Sequence, residues 1–353
     1  MNIDLTSMKN NKQLEVITGF KYAEIADIIF SGVFLKSKIN DLNLKDNIDD
    51  HFIRGDNIFV RNRKFTISEN DIIFCKTEYV NELFYLLKKQ CNFKNLKLIT
   101  HQSDKRITKR IYKKKPDCIS KWYSINVDTY FPNLIPIPLG IADFHEKNLN
   151  KDSFTRQNLL ENFLLNKKNL LYLNFNQNTN FSHRKNIYST FKKKTWANIN
   201  KDPLSNKVYQ AKITEHSFNL APWGNGIDTH RFWESLYSNS IPVTKDHLLY
   251  NSFQSLPMLL VESYEQITKK FLNNFLTEVY ETKDIYNLEK LDFKYWRQLI
   301  CDNSGNIPNE RKLELINHRH EYFFFIANLK HTIFSKLKVF NRLRRLIHKY
   351  TKI

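Results

Sequence analysis

The stretch HSFNLAPWGNGIDTHRFWESLYSNSIPV, His216 to Val243, decides how the chain is read. Ser217 to Ala221 is a short apolar run that suits a buried strand. Pro222 and the Gly224-Asn225-Gly226 turn end it, because Gly and Asn accept positive φ. Two of the chain's seven glycines fall at this turn. Asp228 or Thr229 can cap a helix whose apolar residues Phe232, Trp233, Leu236 and Tyr237 share one face. Arg231 and Glu234 then project from the opposite side, one turn apart. Ser240 to Val243 reads as the next buried strand. The whole is a β-α-β unit with a glycine turn at the helix N-terminus, where backbone N–H groups and the helix dipole favour an anion.

Outward from this unit the same alternation continues. Asn169 to Phe175 is an apolar run ending in a polar loop, and a helix follows from about Ser182 to Lys193 with Arg184 in its first turn. Trp196 to Ile199 and Met258 to Val261 read as strands, Val208 to Glu215 and Tyr264 to Tyr280 as helices. Upstream, Ile72 to Cys75 is a buried strand, Glu78 to Gln90 a helix, and Leu96 to Thr100 a strand that ends at His101-Gln102-Ser103-Asp104. Polar residues just past the C-terminal end of a strand are where open α/β sheets place ligands. Lys121 to Asn126 is a further strand, and the three prolines of Pro132 to Ile141 argue for an edge or connector. Two α/β domains follow, 1–155 and 156–330, with a cleft between them. Tyr22 to Leu35 reads as helix then strand, and Asn309 to Lys330 as helical. Ser335 to Ile353 places Leu337, Phe340, Leu343, Ile347 and Tyr350 at helical spacing among lysines and arginines. A third unit, 331–353, is therefore a basic amphipathic helix suited either to an anionic membrane surface or to packing on the protein.

Composition narrows the function. Hydrophobic residues make up 41% and aromatic residues 14%, which excludes a disordered chain. The net charge of +19 suits nucleic acid, an anionic membrane or a phosphate-bearing substrate, or simply a solvated basic surface. The four cysteines show no metal-ligand spacing, so reduced thiols in a cytoplasmic protein are expected. No run of about 18 apolar residues and no secretory signal is visible, so no integral membrane segment is expected. Walker-type, GxGxxG, HExxH, Asp-x-Asp, kinase and nucleophile-elbow patterns are missing. For a nucleoside diphosphate, Arg231 and Arg184 can pair with phosphates and Glu234 can accept ribose hydroxyls. The bland reading of Arg231 and Glu234 is a surface ion pair worth a few tenths of a kcal/mol.

The run FNLAPWGNGIDTHRFWESLYSNSIPV resembles the C-terminal motif of exostosin-like glycosyltransferases. LITHQSD at 98–104, KWYSINVD at 121–128 and IPIPLGI at 135–141 look like upstream segments of bacterial and viral relatives. The resemblance implies two Rossmann-like domains facing a cleft, the glycosyltransferase B fold, with the sugar-nucleotide donor on the C-terminal one. Arg231 and Glu234 match the motif's Arg and Glu, and Arg184 an Arg after the first strand of the donor domain. Gly224, Asn225, Gly226, Asp228 and His230 complete the expected donor site. The implied reaction is a metal-independent, inverting transfer, with no cofactor beyond the nucleotide sugar, to a hydroxyl of a glycan or lipid-linked acceptor in surface polysaccharide synthesis. His101 and Asp104 are the candidates for the base that deprotonates the acceptor, with Asp128 and Asp143 as alternatives. The location implied is cytoplasmic, peripheral at the membrane. The competing readings are a basic nucleic-acid-binding protein and a catalytically inactive sugar-nucleotide-binding module.

Overall fold

The structure is a computed structural model that describes residues 13–42, 51–143, 163, 167–302 and 311–317. The basic helix expected at 335–353 and the domain boundary expected at 155/156 lie outside the described residues.

The first half of the chain forms β1 (Ile28–Leu35), β2 (His51–Arg54), β3 (Asn57–Arg61), β4 (Lys64–Ser68), β5 (Ile72–Lys76), β6 (Leu96–His101), β7 (Ile107–Thr108), β8 (Ile119–Ser124), β9 (Val127–Asp128) and β10 (Leu134–Pro136). Seven of these make one sheet in the order β10-β8-β6-β5-β1-β3-β2. β1, β5, β6, β8 and β10 run parallel, whereas β3 and β2 add an antiparallel hairpin beyond β1. Parallel strands covered on both faces need near-continuous apolar sequence, and β6 is buried along its whole length. β10 lies at the sheet edge, where its proline leaves no ladder donor missing.

A second sheet comprises β11 (Asn169–Leu173), β12 (Ala197–Ile199), β13 (His216–Leu220), β14 (Ile241–Lys245) and β15 (Leu259–Val261). All its strands are parallel, in the order β12-β11-β13-β14-β15. In chain sequence that order is second, first, third, fourth, fifth, so the connections diverge between β11 and β13. A crevice opens at the carboxyl ends of strands at such a switch point. The chain is thus α/β, with helices between parallel strands as the alternation predicts.

The motif helix His230–Tyr237 connects β13 to β14 and corrects one expectation. Phe232 through Tyr237 are all buried, Glu234 included. The charged face borders the cleft and is not an open surface: Arg231 lies over Tyr209 of the neighbouring helix Asn206–Thr214, and the loop around Leu139 and Gly140 meets the start of the helix.

The end of the described chain returns to the first sheet. Helix Phe293–Cys301 is capped by the buried Lys97 of β6, whose Nζ donates to the carbonyls of Ile300 and Asp302 at 2.7 Å each. Arg297 pairs with Glu15, and the Tyr123 hydroxyl donates to Leu299. The Tyr237 hydroxyl joins both ends of the chain to the motif helix, accepting from Ile17 N at 3.0 Å and donating to Leu291 O at 2.6 Å. Lys312–Ile316 is β16, antiparallel to β4, and not part of a helix. Five residues alternating Leu-Glu-Leu find an open edge at β4, and pairing there overrides the helical propensity of the surrounding charged sequence.

Gly140 carries φ +69°, and a Cβ there would collide with the Ile17 carbonyl oxygen, which accepts from Ile141 N at 3.0 Å. Gly140→Ala is expected to cost about 2–4 kcal/mol through the left-handed backbone and the collision. A urea titration of the variant against the parent checks this, the midpoint falling with an unchanged slope.

Candidate active site between the two sheets

A cleft of about 1140 Å³ is bounded by the carboxyl ends of both sheets. From the first sheet come Leu35 at the end of β1, Lys76 at the end of β5, and His101 to Asp104 from the end of β6 onward. From the second come Asn174 to Thr179 after β11, Lys201 to Leu204 after β12, and the motif residues Gly224 to Gly226, Asp228 to Arg231 and Glu234.

The glycine turn is the contact between the two walls. Asn126, in the left-handed region at φ 52°, accepts from Ile227 N at 2.8 Å and Asp228 N at 2.9 Å through Oδ1, and donates to Ser103 O from Nδ2. A Cβ on Gly226 would stand 2.8 Å from this carboxamide, so only glycine lets Asn126 approach. The amides that the sequence assigns to an anion are therefore occupied by a side chain from the facing sheet. Asn126 escapes sequence reasoning because a lone Asn after a strand is ordinary turn chemistry; its positive φ is the one signal, and it appears only in three dimensions.

Asp228 is likewise a tie between the walls. Its Oδ2 accepts from Leu139 N at 2.8 Å across the cleft, its Oδ1 from Thr229 N, and both oxygens lie within 2.9 Å of Trp233 Nε1. Burial pushes its pKa up to about 7 against the pull of these N–H donors.

The two arginines differ. Arg184 is buried and donates to three carbonyls, Pro222 at 2.7 Å and Trp223 and Asn176 at 2.8 Å each. Burial and the neighbouring Arg231 pull its pKa down to about 10. It clamps the loops after β11 and β13 together, and at most the remaining N–H groups can reach a ligand. The Arg231 guanidinium lies over the Tyr209 ring at 5.5 Å, and its buried Nε has no hydrogen-bond partner among the described residues. Burial works against its charge, but Tyr209 and Glu234 around it hold it more firmly protonated than usual. Glu234 is 5% exposed and lines the same wall.

His230, the first residue of the motif helix, has Nδ1 2.7 Å from Gly140 O. Asn225 is exposed at the rim, where its Nδ2 donates to Asp104 Oδ2 at 3.3 Å. Asp143 borders the cleft and accepts from Phe20 N at 3.1 Å. Asp128 does not line it, and bonds His247 Nε2 at 3.0 Å with Arg106 beyond. His101 is 1% exposed, and both ring nitrogens are engaged: Nδ1 accepts from Gln102 N at 2.8 Å, and Nε2 faces Pro138 O at 3.3 Å. Burial lowers its pKa to about 3. The expectation of a base at His101 is corrected accordingly, since its lone pair is used within the wall. Among the described residues, no three His, Cys, Asp or Glu side chains converge to hold a metal, and no helix is long and apolar enough to cross a membrane.

No family matches the chain, and no curated protein does. Among solved structures it is similar to one described as the GtfA/B complex, at 9% identity and a TM-score of 0.32, over 66% of this chain. The chain spans 57% of that protein's length, and a TM-score of that size decides neither fold family nor activity.

Two outcomes follow from the ties across the turn. Because Asp228 holds its proton more tightly folded than unfolded, stability should fall as pH rises from about 4 to about 7. Urea midpoints across that range should show the slope, and Asp228→Asn should lack it. Asn126→Ala leaves two buried amides unpaired and should cost about 1–3 kcal/mol, read as a lower melting temperature.

Proposed function

We propose that the chain is a glycosyltransferase of exostosin-like, glycosyltransferase B type. In this reading the second sheet holds a nucleoside-diphosphate sugar, and a hydroxyl of a glycan or lipid-linked acceptor enters from the first. The observation that carries the reading is Arg231, a half-buried guanidinium at a cleft wall whose buried Nε has no hydrogen-bond partner among the described residues. A desolvated cation in that position is complementary to an anion, and its place at the switch point of a 2-1-3-4-5 sheet is where such folds take nucleotides. Glu234, one turn along the same helix, accepts the ribose hydroxyls. Phe175, stacked on Tyr188 at 4.4 Å, and the loop Lys201 to Leu204 border the end of the cleft left for the base.

Transfer is a single displacement. The acceptor oxygen attacks the anomeric carbon while the bond to the diphosphate breaks, and Arg231 stabilises the charge that develops on the leaving oxygen. Arg184 acts one step back, holding the carbonyls of Pro222 and Trp223 so that the turn keeps its place.

Titration with UDP, GDP, CMP and single-stranded DNA tests the proposal. A nucleoside diphosphate at a hundredfold excess over its Kd should stabilise the protein by about 2.7 kcal/mol. Arg231→Met should weaken that binding roughly 10–100-fold, as loss of charge-assisted hydrogen bonds requires. Stabilisation by DNA alone, with no response to any nucleotide, would overturn it.

A further inference from the structure

We infer that His230 is the base that accepts the acceptor hydroxyl's proton; the inference rests on the glycosyl-transfer reading above. A carbonyl oxygen only accepts, so the 2.7 Å contact with Gly140 O places the ring proton on Nδ1. The lone pair is then on Nε2, for which no described residue supplies a partner, and the side chain borders the cleft. The other imidazole bordering the cleft, His101, has neither nitrogen available.

The acceptor that sets this tautomer is itself held rigidly. Gly140 lies in the left-handed region against the Ile17 backbone, and Ile141 N donates to Ile17 O. One residue before Gly140, Leu139 N is bound to Asp228. The carbonyl belongs to the first sheet's wall and the imidazole to the second's, so the lone pair is oriented only when the two walls are docked. The cleft's carboxylates are less suited to the role. Glu78 pairs with Lys76 at 2.6 Å, Asp143 accepts from Phe20 N, both Asp228 oxygens are bound within the wall, Glu234 is buried, and Asp104 and Asp202 are exposed. The titratable and charged groups near His230 include His101, which interacts with it electrostatically, Asp228 two residues earlier, and Arg231 and Glu234 along the helix.

The step balances without a further reactant. The hydroxyl proton passes to Nε2 as the oxygen forms its bond to the anomeric carbon. The electron pair of the broken bond leaves with the nucleoside diphosphate, and the imidazolium returns its proton to solvent.

His230→Asn tests the assignment, because the Asn amide can still donate to Gly140 O while offering no basic nitrogen. Binding of UDP and GDP is measured by calorimetry, and turnover of UDP- and GDP-sugars by release of UDP or GDP with water as acceptor. The variant should bind nucleotide within about threefold of the parent, lose roughly 10²–10⁴-fold in kcat, and lose the acidic limb of the pH profile. Retained kcat with an unchanged pH profile would overturn the inference, as would a loss of nucleotide affinity equal to the loss of kcat. A parent protein that neither binds nor turns over any of these nucleotides would instead overturn the reading on which it rests.

Discussion

The carboxamide of Asn126 holds the two halves of the cleft at one spacing. It reaches from the first sheet into a glycine turn of the second and accepts from the amides of Ile227 and Asp228. Asp228 answers in the opposite direction by accepting from Leu139 N. Reciprocal bonds between buried groups leave little freedom for sliding, since any shift exposes an unpaired amide or carboxylate. The cleft, the placement of the motif helix and the orientation of His230 all depend on that registration. The chain's C-terminal return reinforces it, through Lys97 on the helix end at Ile300 and Tyr237 between Ile17 and Leu291.

Charge is used in two ways along one cleft wall. Arg184 is surrounded by carbonyl oxygens and is saturated enough to serve as a structural clamp. Arg231 has an aromatic face beneath it, a carboxylate nearby and a nitrogen with no partner among the described residues. A guanidinium satisfied by the protein fixes the protein; one left incomplete is available to a ligand. From the sequence both were arginines with the same expected role, pairing with the phosphates of a nucleoside diphosphate.

Strand and helix alternation was legible because buried parallel strands and amphipathic helices have different periods, and both survive tertiary context. The strand at His216–Leu220, the helix at His230–Tyr237 and the strand at Ile241–Lys245 stand where the motif's apolar runs put them. Where readings of local pattern failed, the reasons lay outside their windows. Lys312–Ile316 became a strand because β4 offered it an edge. Glu234 is buried at the cleft wall and not on an open surface, which no pattern on the helix itself records.

By itself the sequence determined the class of the fold, the β-α-β unit around the Gly224–Gly226 turn, and the short set of polar residues at strand ends from which a site is built. Those are consequences of local periodicity and of the backbone freedom of glycine. Only the tertiary structure decided the roles within that set. It occupied the turn's amides with Asn126, turned Asp228 into a tie and Arg184 into a clamp, buried His101 within the wall, and set His230 against Gly140 O. The physical reason is that a polar side chain's function depends on which of its hydrogen-bonding positions remain after folding, and that count is fixed by partners far away in the chain.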